Sequence, residues 1–188
     1  MGMQLTETTE KLPTGIDYAA FMALREQGKS FAYAERDAIL YALATGMGHD
    51  PLDEQELKFA FEQSADFSVL PTFGVVVARS MLPRTLPVNM AMLLHGEQRL
   101  TIHRPMPRAA KLLADTRLTD ILDKGAGKGA LIYFETAARL ADSGEPLFTL
   151  AGTLFARGDG GFGGRSGPVP AVHELPSRAP DHVGRRDA

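Results

Sequence analysis

Three long stretches in which β-formers alternate with polar residues, Asp115 to Asp123, Gly129 to Leu140 and Leu147 to Arg157, follow one another through short glycine-containing turns. Connections this short cannot carry a crossover, so the strands must run antiparallel. Two further strands are predicted at Met90 to Leu94 and Gln98 to Arg104, the second with Leu100 and Ile102 alternating with Thr101 and His103. A chain of 188 residues holds one good core and not two roomy ones. The spacing predicts helices over Tyr18 to Glu26 and Glu35 to Ala44, with Gly46 as a stop for the second. Asp53 to Leu57 reads as a turn or short helix feeding a strand at Lys58 to Glu62. Pro71 to Met81 stays ambiguous, because Val75, Val76 and Val77 favour strand while Pro71 suits the first turn of a helix. The order is α+β, with strands clustered rather than alternating with helices.

Three textures divide the chain: a polar lead over residues 1–30, a core domain over 31–157, and a strap rich in Gly, Pro, Arg and Ser over 158–188, for which Val169, Val172 and Leu175 offer the few anchors. Such a strap buries too little apolar surface to offset its own ordering entropy. A net charge of -3 argues against nucleic acid as a partner. No apolar run approaches the length that crosses a bilayer, so no membrane partner is expected. The absence of cysteine removes disulfides and thiolate metal sites, and the five histidines stand at no metal-ligand spacing, so no metal is expected. With no targeting segment visible, a cytosolic location is expected.

Two loops offer chemistry. His95 and Gly96 join two predicted strands, where free backbone N–H groups meet a ligand or where a hairpin simply turns. Lys124, in Asp123-Lys124-Gly125-Ala126-Gly127-Lys128-Gly129, belongs either to an anion-holding corner or to a flexible basic turn. Glu62, placed at a strand end near Asp66, is half of a carboxylate pair or a loop feature. The glycines from Gly158 to Gly164 match a dinucleotide pattern, yet Ser166-Gly167-Pro168 cannot start the helix that pattern requires; a tight backbone passage packing Phe162 is the better reading.

Taken together, Phe31-Ala32-Tyr33, Arg36 to Leu43, Asp66 to Gly74, Leu94-His95-Gly96-Glu97-Gln98, Arg104-Pro105-Met106-Pro107, Asp123-Lys124-Gly125 and Gly160 to Gly164 resemble the MaoC-like, type 2 enoyl-CoA hydratases, in their N-terminal half. The resemblance implies a hotdog fold, an antiparallel sheet wrapped around a central helix, with Pro71 to Met81 as that helix and its shortness making room for a fatty tail. It implies that His95 and Gly96 touch an acyl-CoA, that Lys124 contacts the CoA part, and that Glu62 has a supporting role. It implies no cofactor beyond the coenzyme A thioester that is the substrate. The family's catalytic motif, Gly-Asp-x-Asn-Pro-x-x-His, does not occur in this sequence. Two expectations follow: an acyl-CoA-binding half whose catalytic Asp and His come from a second hotdog domain or subunit, converting 2-enoyl-CoA to (R)-3-hydroxyacyl-CoA, or a self-associating hotdog module that binds acyl-CoA or scaffolds without hydratase activity. A thioesterase reading needs a carboxylate on or beside the central helix, and Pro71 to Met81 holds none.

Overall fold

The structure, a computed structural model, describes residues 16–80, 82–169, 171, 174–181 and 183. Along the chain run α1 (Tyr18–Ala23), β1 (Arg25–Tyr33), α2 (Glu35–Ala44), α3 (Glu54–Ala60), a 3-10 turn (Pro71–Phe73) leading into α4 (Gly74–Val77), α5 (Leu82–Thr85), a second 3-10 turn (Met90–Met92), β2 (Leu93–Ile102), β3 (Ala110–Asp123), β4 (Ala130–Leu140) and β5 (Pro146–Ala156). The strands form one antiparallel sheet in the order β1-β3-β4-β5-β2, so β1 and β2 are its edges. Helix α4 packs on the inner face, which is the hotdog arrangement that the resemblance implies.

Where sequence and structure part, the reasons are local. The predicted helix Tyr18 to Glu26 stops at Ala23, and Arg25 opens β1 ahead of Phe31. The run Arg25 to Ser30 carries no apolar alternation because its half-buried positions are Glu26 and Lys29, which pair at 3.2 Å across a register shift in the edge strand. Lys58 to Glu62 is not a strand. Asp53 caps α3 by accepting from the N–H groups of Gln55 and Glu56, and the helix so started carries through Ala60. The central helix is shorter than Pro71 to Met81, ending at Val77, since a glycine followed by three β-branched valines propagates a helix poorly.

Two apolar clusters fill the inner face. One gathers Tyr33, Phe73, Leu112, Leu147, Phe148 and Leu150. The other gathers Phe21, Leu86, Leu118, Ile121, Ile132 and Leu154. Between them the sheet carries a seam: Thr116 pairs in register with Thr136, their buried hydroxyls 2.8 Å apart, and Gly152 pairs with Phe134 and with Gln98.

The glycine-rich passage wraps a single buried carboxylate. Asp123, 6% exposed, accepts from the N–H groups of Gly161 at 2.7 Å and of Gly125 and Gly163 at 2.8 Å. Gly161 takes φ +88°, a conformation that side chains resist. Phe162 packs on the second cluster, as the sequence reading expects. The hydrophobic anchors expected in the strap do not act as such: Leu175 is 92% exposed and Val169 49%, while Val172 lies outside the described residues. Backbone and charge fasten the strap instead, through the Asp123 N–H donating to the Arg165 carbonyl at 2.8 Å and an Arg165–Asp120 ion pair.

Burial pushes the Asp123 carboxyl up, but the N–H groups of Gly161, Gly125, Gly163 and Gly164 outweigh it and hold the group below its ordinary value of 3.8. Its contribution to stability is therefore full above that ordinary value and is lost as pH falls through the lower folded-state value. We expect Asp123→Ala to cost roughly 2–3 kcal/mol in urea unfolding at neutral pH, because it leaves charge-assisted bonds unmade. The gap to the wild type should narrow on acidification below about pH 4.

Candidate functional site: a cleft at the seam of the core

Helix α4 is seated by its first turn. Gly74 lies against the Phe148 ring so closely that a Cβ there would sit 3.3 Å from it. Phe73 stacks edge-on to Tyr33 at 5.2 Å between centroids and tilts against Tyr41 at 5.3 Å. Tyr33 is itself fixed by donating its hydroxyl to the Pro107 carbonyl at 2.6 Å, and burial raises its phenol to about 12. Beyond Val77 the helix stops, and the space beneath its far end is a cleft of about 380 Å³. Val75, Val76 and Ala78 form its roof, and Leu150, Leu154, Phe134 and Thr136 form its floor across the seam. His95, which is exposed, and Gln98 line its mouth at edge strand β2, and Arg79, Ser80 and Arg84 line it on the other side. Among the described residues no carboxylate lines it and neither arginine has an ion-pair partner. A wider hollow of about 550 Å³ around Tyr33, Asp37 and Lys111 is lined by none of His95, Gly96, Lys124 and Glu62.

His95 and Gly96 sit inside one continuous strand rather than in a loop between two, which corrects the sequence reading. His95 pairs with Leu154 and Glu97 with Thr153, leaving Gly96 as an extra residue in a β-bulge. Without the bulge His95 and Glu97 would share a face; with it His95 turns into the cleft and Glu97 outward, where it pairs with Arg99 at 2.8 Å. A Cβ at Gly96 would sit 3.1 Å from the Thr153 carbonyl oxygen, so a side chain there would crowd the strand pairing. The His95 ring is held by its Nε2, 3.1 Å from the Glu97 carbonyl oxygen that accepts from it.

Lys124 is exposed in the β3–β4 turn, at the same end of the sheet as His95 and three strands away, about 14 Å at normal strand spacing. The backbone of that turn is less open than the sequence reading supposed. The N–H groups of Lys124, Gly125 and Lys128 donate to Gly129, Asp123 and Gly125, so any hold on an anion there falls to the lysine side chains. Glu62 lies at the opposite end of the sheet, its side chain exposed and its carbonyl accepting from Arg108 at 2.5 Å. Asp66 accepts from Ser64 at 2.7 Å, so the carboxylate pair is a loop feature. The structure thus brings His95, Gly96 and Lys124 to one end and leaves Glu62 apart. Among the described residues no cluster of His, Asp and Glu can hold a metal ion, and no helix is long and apolar enough to cross a membrane.

Phe134, Gly152 and the two arginines are not singled out by the sequence. One signal was present: Gly152 interrupts the inward series Phe148, Leu150, Leu154 in β5, and a glycine inside a strand marks a close approach.

The model of the MFE-2 hydratase 2 N-terminal domain matches residues 31–158. The chain belongs to this family. It is 39% identical over 166 residues to peroxisomal multifunctional enzyme type 2 of Mus musculus, covering 83% of this chain and 22% of the mouse protein. It is 39% identical over 155 residues to 3-hydroxyacyl-thioester dehydratase Y of Mycobacterium tuberculosis, covering 80% of this chain and 52% of that protein. A solved MaoC-like dehydratase from Phytophthora capsici superposes with a TM-score of 0.70 at 27% identity, covering 89% of this chain and 59% of that one. The chain therefore spans about half or less of the curated relatives it matches.

Gly152 is the point where the floor of the cleft is most easily disturbed, since a Cβ there would lie 2.3 Å from the Phe134 ring. We expect Gly152→Ala to displace that ring and cost roughly 1–3 kcal/mol. That is read as a drop in Tm of about 2–4 °C for each kcal/mol.

Proposed function

We propose that this chain is the acyl-CoA-binding half of a 2-enoyl-CoA hydratase. The cleft at the seam carries the reading: an apolar channel beneath a shortened helix, open at an edge strand, in a chain of the hydratase family. In this reading the acyl tail lies between α4 and the sheet, its methylenes gaining the usual benefit of leaving water. His95 and the bulge at Gly96 meet the thioester end at the cleft's rim, and Lys124 meets the CoA part from the neighbouring turn. Water adds across the double bond, its hydroxyl bonding C3 and a proton going to C2, to give (R)-3-hydroxyacyl-CoA. The Asp and His that position and activate the water come from a second hotdog, because no carboxylate lines this cleft. Edge strand β2 and the residues before it expose Leu94, Met90 and Met92 beside the cleft's opening, a surface suited to such a partner.

The direct test is a hydration assay on the purified chain, with 2-enoyl-CoA binding titrated in parallel. We expect binding without turnover. Turnover by the chain alone would overturn the division of labour, and no binding would overturn the assignment. We further expect Lys124→Ala to raise the Kd of the ester about two- to fivefold at low salt, the worth of one exposed charge contact. That effect should fade as salt is added. Equal binding by wild type and variant at low salt would remove Lys124 from the site.

A further inference from the structure

We propose that Asp123 is a positioning residue for the CoA contact: it ties the glycine passage of the strap to the β3–β4 turn and so holds Lys124 where the ligand meets it. The inference rests on the acyl-CoA reading above and adds a reciprocal effect, in which a ligand on Lys124 tightens the hold on the strap.

The turn and the strap are distant in sequence and meet at one side chain. Asp123 Oδ1 accepts from the N–H of Gly125 in the turn at 2.8 Å and from that of Gly161 in the strap at 2.7 Å. Its Oδ2 accepts from the Gly163 N–H at 2.8 Å. Lys124 lies between Asp123 and Gly125, and its own N–H donates to the Gly129 carbonyl at 3.0 Å, so the backbone at the foot of its side chain is bonded on both sides. Around these bonds the two segments pack backbone to backbone. A Cβ at buried Gly160 would lie 2.3 Å from the Gly125 carbonyl oxygen and 2.6 Å from the Gly129 nitrogen, and one at Gly161 would lie 2.9 Å from Ala126 Cα. The Lys124 side chain itself is exposed and has no ion-pair partner among the described residues.

A lysine is a point charge on a flexible four-carbon stem. A turn fixed in advance loses less freedom when that charge meets a phosphate, and so binds more tightly than a loose one. The coupling runs both ways: the factor by which a docked strap favours the ligand is the factor by which the ligand favours a docked strap. Asparagine at position 123 would keep the shape but must turn its NH2 toward the N–H of Gly163 or toward those of Gly125 and Gly161, donor against donor. Alanine at Gly160 would part the same two segments by bulk alone.

The test titrates the 188-residue chain at low salt with decanoyl-CoA and with S-decanoyl-pantetheine, the same thioester without phosphates. We expect Asp123→Asn and Gly160→Ala each to weaken decanoyl-CoA about two- to fivefold, as Lys124→Ala does, and to leave the pantetheine ester unchanged. The Asp123→Asn/Lys124→Ala double variant should bind decanoyl-CoA no more weakly than Lys124→Ala alone. Limited trypsin digestion reads the reciprocal effect without any change to the clamp. Saturating free CoA should slow cleavage after Arg165 about two- to fivefold in the wild type, have no such effect in Lys124→Ala, and leave cleavage after exposed Arg178 unchanged. Equal weakening of both esters by Asp123→Asn would overturn the inference, as would additive losses in the double variant or a rate of cleavage after Arg165 that CoA does not alter. If Lys124→Ala weakens decanoyl-CoA while Asp123→Asn and Gly160→Ala do not, this inference alone fails. If Lys124→Ala has no effect, Lys124 leaves the site and the inference falls with it. If neither ester binds the wild type, the acyl-CoA reading fails as well.

Discussion

The ring of Phe148 against Gly74 is the contact on which the site depends. Phe148 is fully buried in the first cluster, and the absence of a side chain at Gly74 lets α4 settle directly onto it. Because the helix is held at its first turn and ends soon after, at Val77, its far end stands over the sheet without filling the space below. A longer helix of strong formers would cover the seam and merge the two clusters into one core. The weak helix propensity of the valines, a liability for local stability, is what leaves the cleft open.

The sheet beneath is adapted to the same end. Phe134 lies over Gly152, and the paired hydroxyls of Thr116 and Thr136 satisfy each other, so the floor of the cleft carries no stranded polar group between the two apolar clusters. At the β2 edge the bulge at Gly96 turns His95 inward. At the β3–β4 end Asp123 gathers the glycine-rich strap through backbone N–H groups and fixes the turn that carries Lys124. Among the described residues the lining of the cleft is mostly apolar, with His95 on its β2 side and two arginines and Ser80 on the other.

Much of the sheet was legible in the sequence because β3, β4 and β5 alternate cleanly and their turns are short. The polar edge strand β1 was not legible, since the charged pair Glu26 and Lys29 takes its half-buried positions and a register shift between them breaks the period. Nor was α3, where the cap at Asp53 outweighed the β-formers Phe59 and Phe61. His95, Gly96 and Lys124 stood out through family motifs, but the bulge that aims His95 depends on register with β5, a long-range fact that no local window contains. Arg79 and Arg84 belong to no motif, and only the fold brings them to the same cleft as His95.

The claim that the acyl tail lies in the seam is tested most directly by measuring affinity against acyl chain length, from free CoA upward. Burial of each added methylene is worth about 0.8 kcal/mol, so the account expects affinity to rise roughly fourfold per carbon until the cleft is full and then to level off. Affinity that is independent of chain length and equal to that of free CoA would contradict it.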